Sequence, residues 1–378
     1  MKHAISGTAA LLLGASPLLA GGIERAPQSL AVLFEEGNYA ELSFGGVNPT
    51  VEGTDAAGFR TGDVAHGYGF VGLAYKHQFN PNLSAAFIME QPVGADIAYP
   101  RQPGPIPDPG VEGSVMLGGT SAKVDSTTFT ALARYRFENN FSIHGGIRGS
   151  KANGEVNLDG LAYGPVAGYN VRLDDSWGLG YVVGAAYEIP EYHARVALTY
   201  NSSIKHDFDT RETLNGMAIG PESTTRVDTP QSITLEGQTG IAEGTLLFGS
   251  VRWVKWSEFK VDPEVFTTMT GAGLVDLENT TTYTIGIGRK FTENWSGSVA
   301  FVYEPTGDDL VSPLAPTNGR KGITLAAVYT MDNLKITTGI NYSRLGDARP
   351  ETGTPDTERA RMEGSDLWGI GIRVGYSF

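Results

Sequence analysis

The residues able to do chemistry in this chain are few, and their spacing does not suit it. There are six histidines, His3, His66, His77, His144, His193 and His206, and no cysteine. None of the histidines falls in an HExxH pattern or another close ligand spacing, so isolated rim or interior histidines are expected and no metal site. The lack of cysteine excludes disulfides, thiolate-held zinc, iron–sulfur clusters and thiol nucleophiles. There is no G-x-S-x-G elbow and no phosphate-binding loop. Gly178, Gly180 and Gly184, like Gly369, Gly371 and Gly375, imitate a dinucleotide loop, but the spacing is off by one and no helix follows. Ser142 and His144 share one strand face, two positions apart. A barrel hydrolase needs a Ser–His pair, and nothing else in the chain completes one. No catalytic residue, no cofactor and no enzyme activity are expected.

What must position the remaining polar residues is a single large object. The chain has 378 residues, 50 of them glycine, and a formal charge of −14. An acidic chain lacks the basic face that nucleic acid requires, so no nucleic-acid partner is expected. Lys2 followed by the apolar run Ala9 to Leu19 and by Ala20 reads as a secretory signal peptide over 1–20. The run is short for a membrane span, and no later segment approaches eighteen apolar residues.

Beyond residue 38 the chain alternates with period two. Leu334, Ile336, Thr338, Ile340 and Tyr342 alternate with Lys335, Thr337, Gly339, Asn341 and Ser343. One face is aliphatic and aromatic, and the other is rich in Gly, Ser, Thr and Asn, which suits a crowded lumen better than a solvated surface. Fourteen such segments can be marked, at about 39–50, 66–80, 82–99, 121–137, 140–157, 170–189, 192–206, 230–241, 244–258, 281–291, 294–304, 319–331, 333–345 and 365–378. Each even segment ends in a tight turn, such as Asn80-Pro81 or Pro190-Glu191. Each odd one ends in a long polar loop, such as Arg101 to Thr120, Asp207 to Thr229 and Gly346 to Gly364. Short turns on one rim, long loops on the other and an even strand count are the pattern of an outer-membrane barrel. The expectation is an all-β, 14-stranded antiparallel transmembrane β-barrel over 39–378, in the outer membrane of a Gram-negative bacterium. The short segment 21–38 precedes it as an N-terminal hatch, or plug. Tyr75, Phe79, Tyr135, Phe137, Phe141, Tyr187, Tyr192, Trp295 and Tyr303 are read as an aromatic girdle beside the short turns.

In the last strand Trp368, Ile370, Ile372, Val374, Tyr376 and Phe378 fall on one face. Trp368, Tyr376 and the terminal Phe378 look like the C-terminal signal read by the barrel-assembly machinery. Three stretches carry a further likeness. They are Trp177 to Asp207, Thr229 to Phe259 with its Thr-Pro start and Trp-Ser-x-Phe end, and Tyr283 to Tyr303. With the closing strand, they resemble the FadL family of outer-membrane transporters for long-chain fatty acids and other hydrophobic compounds. That resemblance implies a fourteen-stranded barrel, a plugging hatch, and a kinked third strand that opens a gap in the wall. It also implies a passive route in which a hydrophobic molecule lands on the outer loops, descends to a lumen site and leaves sideways into the outer leaflet.

Pro92, Val93 and Gly94 are the candidate kink, because proline removes a ladder donor; the other reading is that the strand ends at Gln91. The hatch is shorter than the family's. Leu30, Val32, Leu33 and Phe34 either enter the lumen, where Leu30, Val32 and Phe34 would contact a ligand, or extend the first strand. By parity Arg148, Arg252 and Arg373 point inward, as do Glu188 and Glu236. Arg148 and Arg252 lie near mid-membrane, where a fatty-acid carboxylate would need a cation; the alternative is that they pair with lumen glutamates. The partners expected are hydrophobic small molecules or fatty acids, outer-membrane lipid and lipopolysaccharide, and the chain is expected to be a monomer. Long-chain fatty acids are the leading cargo, with aromatic hydrocarbons or a general diffusion porin as alternatives.

Overall fold

The computed structural model describes residues 23–25 and 29–378; the stretch read as a signal peptide lies outside the described residues. Fourteen antiparallel strands close into a barrel. They are β1 (Tyr39–Thr50), β2 (Tyr68–Gln78), β3 in two pieces (Leu83–Glu90 and Gly94–Ala98), β4 (Ser121–Arg136), β5 (Phe141–Leu158) and β6 (Tyr169–Ile189). Two more broken strands follow, β7 (Ala194–Asn201 and Ile204–Leu214) and β8 (Ser223–Thr229 and Ser232–Ala242). The circuit continues through β9 (Thr245–Val254), β10 (Thr280–Lys290), β11 (Trp295–Glu304), β12 (Arg320–Met331), β13 (Leu334–Leu345) and β14 (Asp366–Ser377). It shuts where β1 pairs with β14, from Tyr39 opposite Ser377 to Thr50 opposite Asp366. Pairing of the first strand with the last leaves no free edge there, as a lipid-bathed sheet requires because no water is present to satisfy an open edge.

The faces are inverted relative to a water-soluble protein. Leu42, Phe44, Val71, Leu73, Ile340 and Ile370 are exposed on the outer wall, while Thr130, Ser142, Lys335, Asn341 and Arg373 are buried inside. Trp368, Tyr376 and Phe378 all stand on the outer face of β14. The girdle at the short-turn rim includes stacked or edge-on pairs, among them Tyr135 with Phe137 at 5.0 Å between ring centroids. Tyr303 does not belong to it. It lies near the long-loop end of β11, beside Tyr283 of β10, because its segment runs away from the short turn that starts it.

Two other expectations need correction. Asp207 to Thr229 is not a long loop: β7 continues to Leu214 and β8 begins at Ser223, and the two pair from Ile204–Thr229 to Thr210–Ser223. Alternation of Phe208, Thr210 and Glu212 with charged residues carries the strand above the membrane, where charge is no longer costly outside. The segment expected over 244–258 stops at Val254, after which Trp256–Glu258 forms a 3-10 turn.

The long loops fold inward over the barrel mouth. A short helix, α1 (Glu264–Thr270), is held there by Glu212 of β7. The Glu212 carboxylate accepts hydrogen bonds from the backbone N–H groups of Val265 (2.9 Å) and Phe266 (2.7 Å) and from the Tyr169 hydroxyl (2.8 Å). Around that anchor Phe208, Val227, Phe259, Val261, Leu277 and Leu314 form an apolar cluster under the loops.

The absence of cysteine makes the closing register easy to test. Leu42 and Val374 are directly opposed on the outer wall. Directly opposed strand residues are close enough for a disulfide. The double variant Leu42→Cys with Val374→Cys is expected to crosslink on oxidation, seen as altered gel migration of the unfolded chain, whereas Leu42→Cys with Ile370→Cys stays uncrosslinked.

Candidate functional site: a seam in the wall beside an apolar cavity

The site begins with one residue too many in β3. Glu90 opposes Thr128 of β4, and four residues later Gly94 opposes Asp125, only three positions along. Gln91, Pro92 and Val93 therefore face Ser126 and Thr127. The surplus residue moves the inward face of the strand from even to odd positions: Ser84, Ala86 and Ile88 are buried below the break and Ala95 above it. Proline tolerates this place because it has no N–H to leave unpaired. β2 follows β3 only from Gln78 to Leu73, so Tyr68 to Gly72 have no β3 partner. Pairing resumes above, where the Ala98 N–H donates to the Val64 carbonyl and the His66 N–H to the Asp96 carbonyl. Pro92–Gly94, expected as a kink, lie at the interruption between the two pieces of β3.

Side chains and the N-terminal segment supply the missing ladder bonds. The Ser126 hydroxyl accepts from the Val93 N–H (3.0 Å) and donates to its carbonyl (2.6 Å). The Gln91 side-chain oxygen accepts from the Val71 N–H (3.1 Å). From inside, Arg25 donates its N–H to the Pro92 carbonyl (2.8 Å), and the Gly94 N–H donates to the Ile23 carbonyl (2.9 Å). The Arg25 side chain lies in the seam, its guanidinium 4.7 Å from the centre of the Tyr68 ring and 3.0 Å from the Asp125 carboxylate. A Cβ on Gly94 would lie 2.4 Å from that guanidinium, so any larger residue there must displace the Arg25 side chain. Outward residues below the seam, such as Leu73 and Phe87, are apolar. Asp96, Asp125 and His66 stand at or above it, which puts the break in β3 near the boundary between acyl chains and headgroups.

Immediately inside is an apolar cavity of ≈ 60 Å³. Ile23 and Val93 form its wall on the seam side, and Phe208, Phe259, Val261 and Leu277 face them. None of these last four was marked from the sequence. Phe259 carries the one available signal, as the end of the Trp-Ser-x-Phe stretch.

The residues expected to meet a ligand are placed elsewhere. Arg252 forms an ion pair with Glu24 of the N-terminal segment (2.5 Å) and donates to Ser232 and Thr234. Arg148 is buried in the field of Glu24 and Glu90. Leu30 and Val32, with Leu33, pack inside the barrel against Tyr39, Ala74, Ala86, Ile88, Leu132 and Val182. Phe34 lies between the Arg134 and Arg195 guanidinium groups, at 4.5 and 3.9 Å, and lines a separate ≈ 430 Å³ vestibule at the short-turn rim. Glu35 pairs with Lys335 (2.8 Å), tying the segment to β13. Segment 29–38 therefore runs inside the barrel instead of lengthening β1. Ser142 and His144 do not form a pair: the Ser142 hydroxyl accepts from Arg134, and His144 contacts Thr199.

The fold recurs in solved structures. A Pseudomonas aeruginosa FadL homologue matches with a TM-score of 0.73 at 15% identity, covering 98% of this chain and 96% of that one. The P. putida toluene transporter TodX matches at 0.65 and 13% identity over 92% of each chain. The Ralstonia pickettii toluene transporter TbuX matches at 0.60 and 12% identity over 97% and 99%. No curated protein shows significant sequence similarity to the chain. A family model described as outer membrane protein transport protein (OMPP1/FadL/TodX) matches residues 110–378, well over half of the sequence, and the protein therefore belongs to that family of outer-membrane transporters of hydrophobic compounds.

Proposed function

We propose that the protein is a passive outer-membrane channel whose cargo is a neutral hydrophobic compound, admitted to the apolar cavity as its lining gives way and released sideways through the β3 seam. One observation carries this reading: Ile23 and Val93 belong both to the wall of the cavity and to the seam itself. A molecule in the cavity is thus separated from the bilayer by the N-terminal strand pairing and by the Arg25 side chain. Moving Ile23–Arg25 inward would open the way without breaking the ladders that β2 and β3 make with β1 and β4.

The charge balance favours neutral cargo over fatty acid. A carboxylate buried in an apolar site needs a cation of its own. Arg252 is already committed to Glu24, and Arg148 shares the field of Glu24 and Glu90. A carboxylate arriving there meets two acidic groups as well as two basic ones. Small aromatic hydrocarbons, the cargo named for the TodX and TbuX structures, make no such demand.

The reading is tested by uptake into Gram-negative cells lacking their own hydrophobic-compound transporter. Labelled toluene is expected to enter faster when this protein is present, and oleate not. Oleate uptake that falls in Arg252→Ala, while uptake of its methyl ester is unchanged, would replace neutral cargo with a fatty acid.

Deleting Pro92 alone equalises β3 with β4 and lets β2 pair along its length; toluene uptake is then expected to disappear with the barrel still folded by heat-modifiable gel migration. Arg25→Ala and Gly94→Ala both take the guanidinium out of the seam and are expected to raise uptake to a similar degree. Unchanged uptake in all three variants rules out the lateral route.

A further inference from the structure

The cavity wall is mostly apolar, and its polar residues are Ser126, Asn153, Glu155, His206 and Thr229. His206 lies on the inward face of the upper piece of β7, lines the cavity and is 0% exposed. Its ring is stacked on Phe208, with centroids 5.5 Å apart and planes 18° from parallel. Nδ1 lies 3.3 Å from the backbone carbonyl oxygen of Ser176 on β6. A carbonyl oxygen only accepts, so Nδ1 carries the hydrogen. In the neutral ring Nε2 is then a bare acceptor. It is buried, and it has no hydrogen-bond partner among the described residues. The other hydroxyls at the cavity are occupied. Ser126 bonds both backbone groups of Val93, and Thr229 bonds the N–H and carbonyl of Ile204.

A buried acceptor without a donor costs free energy, and a ligand donor recovers it. We propose that His206 selects, among neutral hydrophobic compounds, those that carry one hydroxyl, the ligand O–H donating to Nε2 as Ile23, Val93 and Phe259 draw apart to admit its hydrocarbon body to a cavity that measures ≈ 60 Å³ when empty. This rests on the channel reading above and narrows its cargo to phenol-like or alcohol-like hydrophobes. The Phe208 stack and the Ser176 carbonyl fix the ring from two sides, so the acceptor is preorganised and little is lost in orienting it.

Three probes of similar size separate donor from acceptor. Toluene has neither, 4-methylanisole has only an acceptor, and p-cresol has a donor. Their dissociation constants are measured by titration calorimetry on the detergent-solubilised full-length barrel, wild type and His206→Phe, with His206→Leu as a second replacement and heat-modifiable migration as the check of folding. The ratio of the toluene to the p-cresol constant is expected to fall about tenfold on replacing His206, the equivalent of ~1.4 kcal/mol for one hydrogen bond to a buried group. The ratio of toluene to 4-methylanisole is expected to stay constant. A p-cresol ratio that is the same in wild type and folded variants overturns the assignment of His206, while toluene uptake leaves the channel reading standing. A parallel fall for 4-methylanisole also overturns it, since Nε2 would then be donating. A folded wild-type barrel that binds none of the three overturns the channel reading together with the inference built on it.

Discussion

Inside a bilayer a backbone N–H or carbonyl has no water to fall back on, so any opening in a barrel wall must satisfy the groups it exposes. That requirement organises everything around β3. One surplus residue frees the upper part of β2 from its neighbour, and several of the groups at the break find substitute partners. Ser126 takes both groups of Val93, Gln91 takes the Val71 N–H, and Ile23 and Arg25 take Gly94 and Pro92. The N-terminal segment is therefore part of the wall as well as an occupant of the lumen. Its removal exposes only a short stretch of ladder, since the pairings of β3 with β4 on either side are complete.

Charge inside the barrel obeys the same economy. Arg134 pairs with Glu188, Arg195 with Glu236, Lys335 with Glu35 and Arg252 with Glu24. Two of the four acidic partners belong to the N-terminal segment, so the same ion pairs that neutralise the lumen also hold that segment in place. Buried pairs contribute little net stability, but losing one partner strands the other at a cost of about 3–5 kcal/mol. The segment is consequently fixed in register more than it is tightly bound. At its inner end Phe34 fills the space between two guanidinium groups, which closes the short-turn rim with an aromatic ring instead of a further charge.

The barrel was legible in the sequence because its constraint acts at every position: alternation, sorted loops and a closing aromatic strand repeat the same information fourteen times. The seam was legible for the opposite reason, since Pro92 violates that pattern at one place. The cavity was not. Phe208 and Val227 fell in a stretch read as loop, because charged residues at alternate positions hide a strand that has left the membrane. Phe259, Val261 and Leu277 come from irregular segments with no period to read. The roles of Arg148 and Arg252 were undecidable from parity, which places a side chain on a face but cannot say that Glu24, 228 positions from Arg252, meets it there.

The height of the seam ties these features together. Below it the outer wall is Leu73 and Phe87; level with it is Val71, and level with it or just above are Asp96, Asp125 and His66, with His66 and Asp96 paired at 2.8 Å. Under the proposed lateral route, a molecule leaving here would enter the bilayer at the edge of its apolar layer, where acyl chains can receive a hydrocarbon body while a hydroxyl remains near polar groups. An opening lower down would deliver that hydroxyl into hydrocarbon, at the full cost of desolvating it. An opening higher up would deliver the hydrocarbon body into water. The place where β3 breaks, the apolar cavity behind it and the single acceptor on β7 thus suit the same kind of molecule: largely apolar, uncharged, and polar at no more than one end.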